Sequence, residues 1–148
     1  MSLPFSLHWQ LPNLIAGEFE VASQATKQYN CVAWALGDDT KWWDTEPEGH
    51  WPPNVPREWT LANLMKVLEL QGFERCDNAD LEEAFEKIAV YTRQDGTLTH
   101  VARQRPNGVW TSKLGESVDI EHQLHGLEDA SPGAYYGAAT VFLRRPPP

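Results

Sequence analysis

The feature that most constrains this chain is a series of strand-like segments joined by two very short turns. Lys87 to Thr92, Leu98 to Gln104 and Val109 to Lys113 carry the β-branched and aromatic residues that strands favour. Asp95-Gly96 and Asn107-Gly108 separate them, and such pairs suit tight hairpin turns because glycine accepts a positive φ without a steric penalty. Connections of five and four residues are too short for a parallel crossover, so this half of the chain is expected to form an antiparallel meander. A last strand is expected over Ala138 to Leu143.

Upstream the pattern changes. Cys31 to Leu36, preceded by Tyr29-Asn30, forms an apolar, helix-like run that Gly37 stops. Val32, Ala33, Trp34, Ala35 and Leu36 leave that helix no polar face, so it is expected to be buried. Thr60 is placed to cap a second helix with Leu61, Leu64, Met65 and Leu68 at helical spacing and Gly72 as its stop. A third, shorter helix is expected from Asp80, where Asp80 and Glu83 have capping-box spacing. Between the first two lies the loop 38–59. Pro47, Pro52, Pro53 and Pro56 forbid regular hydrogen-bonded structure across much of it. Helices first and a meander second predict an α+β class, with one domain spanning residues 1–148.

Composition removes several functions. Twenty-one acidic against twelve basic residues leave a net charge of −9, which repels phosphate backbones and argues against a nucleic-acid partner. No stretch has the apolar length of a membrane span. The segment MSLPFSLHWQLPNLIAG lacks a basic start and a continuous apolar centre, so a cytoplasmic location is expected. Two cysteines, Cys31 and Cys76, provide no disulfide framework. His122 and His125 have an H-x-x-H spacing, but no cysteine or carboxylate cluster completes a tetrahedral set, so no metal is expected. No glycine-rich phosphate loop points to a nucleotide, and no cofactor is expected. Nothing in the sequence sets the oligomeric state.

The order of Cys31 at a helix start and His100 on a later strand is that of a thiol-dependent hydrolase. Helix amides and a nearby imidazolium lower a thiol pKa, and the thiolate is the nucleophile. The layout resembles the papain-like thiol peptidase superfamily, in particular its compact NlpC-type and CHAP-type amidases. That resemblance implies a papain-like core with N-terminal helices packed on an antiparallel sheet, Cys31 as nucleophile and His100 as base. It places Ser112, on the strand after the Asn107-Gly108 turn, at the position that orients the imidazole. Glu116, Asp119 and His122 are the alternatives for that third role. YNCVAWALGD, the tryptophan-rich loop and WTSKLG are also similar to a set of uncharacterised bacterial proteins of this size.

On this reading Cys31 attacks an amide carbon of a peptide, peptidoglycan or protein substrate. His100 takes the thiol proton and returns it to the leaving amine. The Cys31 amide, with Gln28 or Asn30 nearby, faces the oxyanion. Trp42 and Trp43 are the candidate groove residues for the substrate. Each residue also has a plain structural reading: Cys31 and His100 as core residues, Ser112 as a turn hydroxyl, the indoles as filling for a small core. The rival function is a non-catalytic binding module that uses the acidic, tryptophan-rich loop 38–59.

Overall fold

A computed structural model describes residues 19–23, 28–114, 119–124, 128 and 136–147. They build a seven-stranded sheet from β1 (Phe19–Ser23), β2 (Glu74–Cys76), β3 (Glu86–Thr92), β4 (Leu98–Gln104), β5 (Trp110–Lys113), β6 (Asp119–His122) and β7 (Ala138–Arg145). The strand order is β1-β6-β5-β4-β3-β7-β2. Every neighbouring pair is antiparallel. Both expected hairpins form. Asp95 Oδ1 accepts from the Thr97 N–H and Asn107 Oδ1 from the Val109 N–H, so each turn residue closes its own loop.

Among the described residues two helices accompany the sheet, α1 (Cys31–Leu36) and α2 (Leu61–Leu70). Thr60 caps α2 through its hydroxyl on the Asn63 N–H, as its position predicts. Gly37 ends α1 in the left-handed region at φ 78°, a conformation that a Cβ would oppose. Among the described residues no helix is long and apolar enough to cross a membrane.

The expectation of a papain-like α+β core with N-terminal helices on the sheet is overturned. Among the described residues helix amounts to six residues in α1 and ten in α2, against seven strands. The third helix expected from Asp80 does not form. Glu86 already begins β3, and the Lys87 ammonium draws the preceding segment toward itself by binding Asp80 O, Glu82 Oε1 and Asn78 Oδ1. The chain turns at Ala84 instead, whose φ of 72° no α-helix contains. Three strands also enter that the sequence pattern does not announce: β1, the charged three-residue β2, and β6.

Both faces of the sheet are covered. On one, α1, α2 and the loop residues Trp43, Trp51 and Val55 pack over Ile88, Val90, Val101, Val141 and Leu143. On the other, Ala89, Tyr91, Ala102, Trp110, Leu114, Ile120 and Tyr136 form a second cluster. Strict pairing fails in three places, between β1 and β6, between β3 and β7 and between β3 and β4, and the last bears on the site. Tyr91 pairs with His100 but Thr92 pairs with Leu98, so Thr99 is an extra residue in β4. The bulge puts Leu98 in the helix-side cluster, although the residue two positions on, His100, faces the opposite side.

Arg145, at the end of β7, joins these parts. Its guanidinium donates to Leu36 O at 2.9 Å, to Gln71 O at 2.9 Å and to Glu86 Oε2 at 2.7 Å. It thereby satisfies carbonyls at the ends of both helices and lies over the Phe73 ring, 4.3 Å from its centroid. Arg145→Ala is expected to lower stability by about 3 kcal/mol in urea titrations, because hydrogen bonds to a charged group are worth about 1.5–3 kcal/mol each. Arg145→Lys should recover less than half of the loss, since one ammonium cannot reach three separated acceptors.

Candidate functional site

Cys31 opens α1, which packs across β4 and β5. Asn30 holds it there. Its Oδ1 accepts from the Ala33 N–H and the Trp43 N–H, both at 3.2 Å, and its Nδ2 donates to Trp43 O at 2.6 Å. One buried amide therefore caps the helix and fastens the 38–59 loop to it. The amide is committed to structure and does not offer the oxyanion contact expected of it. Gln28 is exposed on the preceding segment.

The Cys31 side chain is only partly exposed, and burial pushes its thiol up to about 11. The backbone of Val101, Val32 and Cys31 and the Lys113 charge pull the other way without reversing it. Lys113 lies on the same sheet face, fully buried, with its ammonium 5.5 Å from the Tyr29 ring centroid.

His100 is on the other face. Its ring stacks on Tyr136 at 4.3 Å and 17°, and lies 5.5 Å from the Tyr91 ring. Both ring nitrogens are buried without a hydrogen-bond partner. Val101, its neighbour in β4, packs with α1. The sheet itself thus lies between the Cys31 thiol and the His100 imidazole, and the structure does not bring the expected pair together. Ser112 is fully buried and meets a different histidine: its Oγ is 2.7 Å from His122 Nε2, while His122 Nδ1 is 2.7 Å from Gln123 O. A carbonyl only accepts, so Nδ1 carries the proton and Ser112 donates to Nε2. Glu116, the Asp119 side chain and His125 lie outside the described residues. Among the described residues no three histidines, cysteines or carboxylates gather as metal ligands.

The tryptophans of the loop divide. Trp43 and Trp51 are buried in the helix-side core, with indole N–H groups donating to Asp38 Oδ2 and Pro56 O, both at 3.0 Å. Trp43 is therefore a core residue, not a groove residue. Trp42 keeps part of its surface, and its indole N–H is 3.4 Å from Asp44 Oδ2. Burial alone would raise the Asp38 carboxyl, but hydrogen bonds from Thr40 and the Trp43 indole outweigh it and hold the group at about 2. The acid belongs to the loop's internal structure.

An open concavity lies elsewhere, at the end of the sheet where β3 begins and β4 ends. A cleft of about 750 Å³ lies between α1 and the 81–86 segment. Trp34, Leu81, Phe85, Arg103, Arg105 and Thr111 are among its lining residues. The Trp34 N–H donates to Thr111 Oγ1 at 3.0 Å, and that hydroxyl donates to Arg103 O at 3.0 Å, which fixes the indole against β5. The Arg103 guanidinium lies over the indole, 5.8 Å from its centroid. Sequence reasoning left out both residues. The signal was present in part, since Arg103 stands two residues after Val101 and so shares the α1 face.

A family model, Domain of unknown function (DUF7689), matches residues 20–144, so the chain belongs to that family. No curated protein and no solved structure matches it.

The buried histidines have a measurable consequence. Burial, and secondarily the neighbouring His122, hold His100 down at about 3; burial likewise holds His122 at about 4, against a small opposing effect of Gln123 O. As pH falls, the unfolded chain takes up these protons first, beginning near its ordinary 6.5. Their contribution to stability is present above the ordinary value of about 6.5 and is lost as pH falls through about 4 for His122 and about 3 for His100, by about 2 kcal/mol per histidine at pH 5. His100→Phe keeps the stacking and removes two unsatisfied nitrogens. It is expected to leave stability at pH 7 unchanged or about 1 kcal/mol higher, and to halve the loss between pH 7 and 5 in urea titrations.

Proposed function

We propose that this member of a family of unknown function is a non-catalytic binding domain, whose ligand site is the cleft beside α1. The reading rests on one observation above others: the cleft of about 750 Å³ presents an aromatic face and a guanidinium, Trp34 and Arg103, fixed by β4 and β5. Sites for small ligands have this size and this mixture of apolar wall and a few placed polar groups. Rigidity supports it too. The Thr111 hydroxyl ties the indole to the Arg103 backbone, so little side-chain freedom remains to be lost on binding.

The state of Cys31 supports the same reading. A nucleophilic thiol needs a depressed pKa or a base in hydrogen-bond reach. Here burial raises the thiol, and the histidine expected to serve it lies beyond the sheet. The binding surface differs from the loop that the sequence suggests, because Trp43 and Trp51 are consumed by the core.

Two measurements test the proposal. Alkylation of Cys31 by iodoacetamide, followed against pH with Cys76 as comparison, should be slow below pH 8 and give an apparent pKa above the ordinary value of about 8.5. Rapid modification at neutral pH means an activated thiolate and overturns the non-catalytic reading. A fragment screen read by the Trp34 indole N–H resonance should yield saturable shifts that spare the Trp51 indole. Hits confined to other surfaces count against the cleft.

A further inference from the structure

We infer that the cleft takes an oxyanion with a flat apolar body, the anion held by Arg103 and the body lying against Trp34. This rests on the cleft being the ligand site and adds the chemical class of the ligand. Its first support is the state of the charges. The Arg103 guanidinium makes no hydrogen bond or ion pair with any described residue and lies over the Trp34 ring. The neighbouring acids are engaged elsewhere. Glu82 binds Lys87 at 3.0 Å and also Arg144, Glu86 binds Arg145 at 2.7 Å, and Glu121 binds Arg105 at 2.8 Å. Glu83, on the exposed rim, is the one carboxylate of the lining without such a cation. The open donor set inside is a planar fork of guanidinium N–H groups, which matches a carboxylate or phosphate through paired hydrogen bonds.

Two features of the opposite wall point to the apolar body. Leu81 is 52% exposed, one of two large apolar side chains left that open among the described residues. It lines the cleft. Three residues on, Ala84 holds a φ of 72°, and among the described residues it is the one non-glycine with a positive φ. An L-residue there costs about 1–2 kcal/mol, a strain that collects at ligand-binding segments. The strained turn presents Leu81 and Phe85 to the cleft opposite Trp34. An aromatic or similarly flat group fills that gap while its acid reaches Arg103.

The test compares near-isosteres on the full chain. Phenylacetate, phenyl phosphate, the neutral phenylacetamide and the cationic benzamidine are titrated while the Trp34 indole N–H and the Arg103 side-chain N–H are followed by NMR. At least one anion is expected to bind about tenfold tighter than phenylacetamide, corresponding to the roughly 1.4 kcal/mol of one charge-assisted contact. The stronger of the two identifies the carboxylate or the phosphate source. Arg103→Gln should erase that difference and keep the weak affinity for phenylacetamide, whereas Arg103→Lys should retain a part of it. Equal binding of phenylacetate and phenylacetamide, or tighter binding of benzamidine, overturns the anionic class and leaves the cleft as a ligand site. Binding of the anions that survives Arg103→Gln unchanged overturns the role of Arg103. Failure of every probe to shift Trp34 overturns the inference, and the wider fragment screen then decides on the cleft separately.

Discussion

Two helices and the start of a strand converge on one guanidinium. Helix ends leave carbonyl groups without partners, and two such ends lie close together here, at Leu36 and Gln71. Arg145 fills both while its third contact holds Glu86, the first residue of β3. Its side chain is 15% exposed, so these charge-assisted bonds are less screened than surface pairs. The consequence reaches the cleft. Trp34 belongs to α1 and Glu86 ends the opposite wall, so the residue that fixes α1 against β3 also fixes the width between the two walls. Asn30 performs the matching task at the other end of α1, where it binds Trp43 through both its donor and its acceptor.

The far face of the sheet is held by polar groups as well as apolar ones, and their satisfaction is uneven. Lys87 is almost fully buried, yet its ammonium finds Asp80 O, Asn78 and Glu82. Ser112 and His122 satisfy each other, with Gln123 O completing the pair. The His100 ring nitrogens have no hydrogen-bond partner among the described residues. The bulge at Thr99 explains why. The Thr99 hydroxyl reaches Tyr91 O at 3.0 Å and Tyr136 O at 2.5 Å, which brings the Tyr136 ring over the imidazole and shuts out other partners. A buried polar group without a partner is costly, so the position depends on stacking between aromatic rings rather than on hydrogen bonding.

Local signals were legible wherever chemistry is decided within a few residues. Asp95-Gly96, Asn107-Gly108, Thr60 and Gly37 each act through contacts to near neighbours, and each does what its residue type predicts. Long-range partners were not legible. Glu74–Cys76 is a strand because β7 lies beside it, and nothing in three largely exposed residues announces that. The expected helix from Asp80 failed because Lys87 competes for its groups, a contact created by tertiary folding. The site suffered in the same way. A cysteine on a helix and a histidine on a strand describe a pair only when both face one side, and a one-residue bulge with strict alternation around it decides that. The cleft residues Trp34 and Arg103 were visible as types but not as neighbours, since their meeting depends on α1 crossing β4 and β5.

Four arginines cluster at this end of the sheet, and their fates differ for a physical reason. Arg144 lies over the Phe85 ring at 4.5 Å and binds Glu74 and Glu82; Arg145 lies over Phe73 and takes two helix carbonyls with Glu86. Each of these acids is therefore held by a cation that has other partners in place, so its transfer to Arg103 would strip contacts from β7 and the helix ends. Arg105 is matched across the sheet by Glu121. Arg103 faces Trp34, a ring that attracts a cation without neutralising its hydrogen-bond donors. A net charge of −9 would be expected to quench any open cation, and it does so for the other three. What remains is a guanidinium kept open by the prior engagement of the acids around it, in a cleft whose opposite wall holds the Ala84 turn and the exposed Leu81.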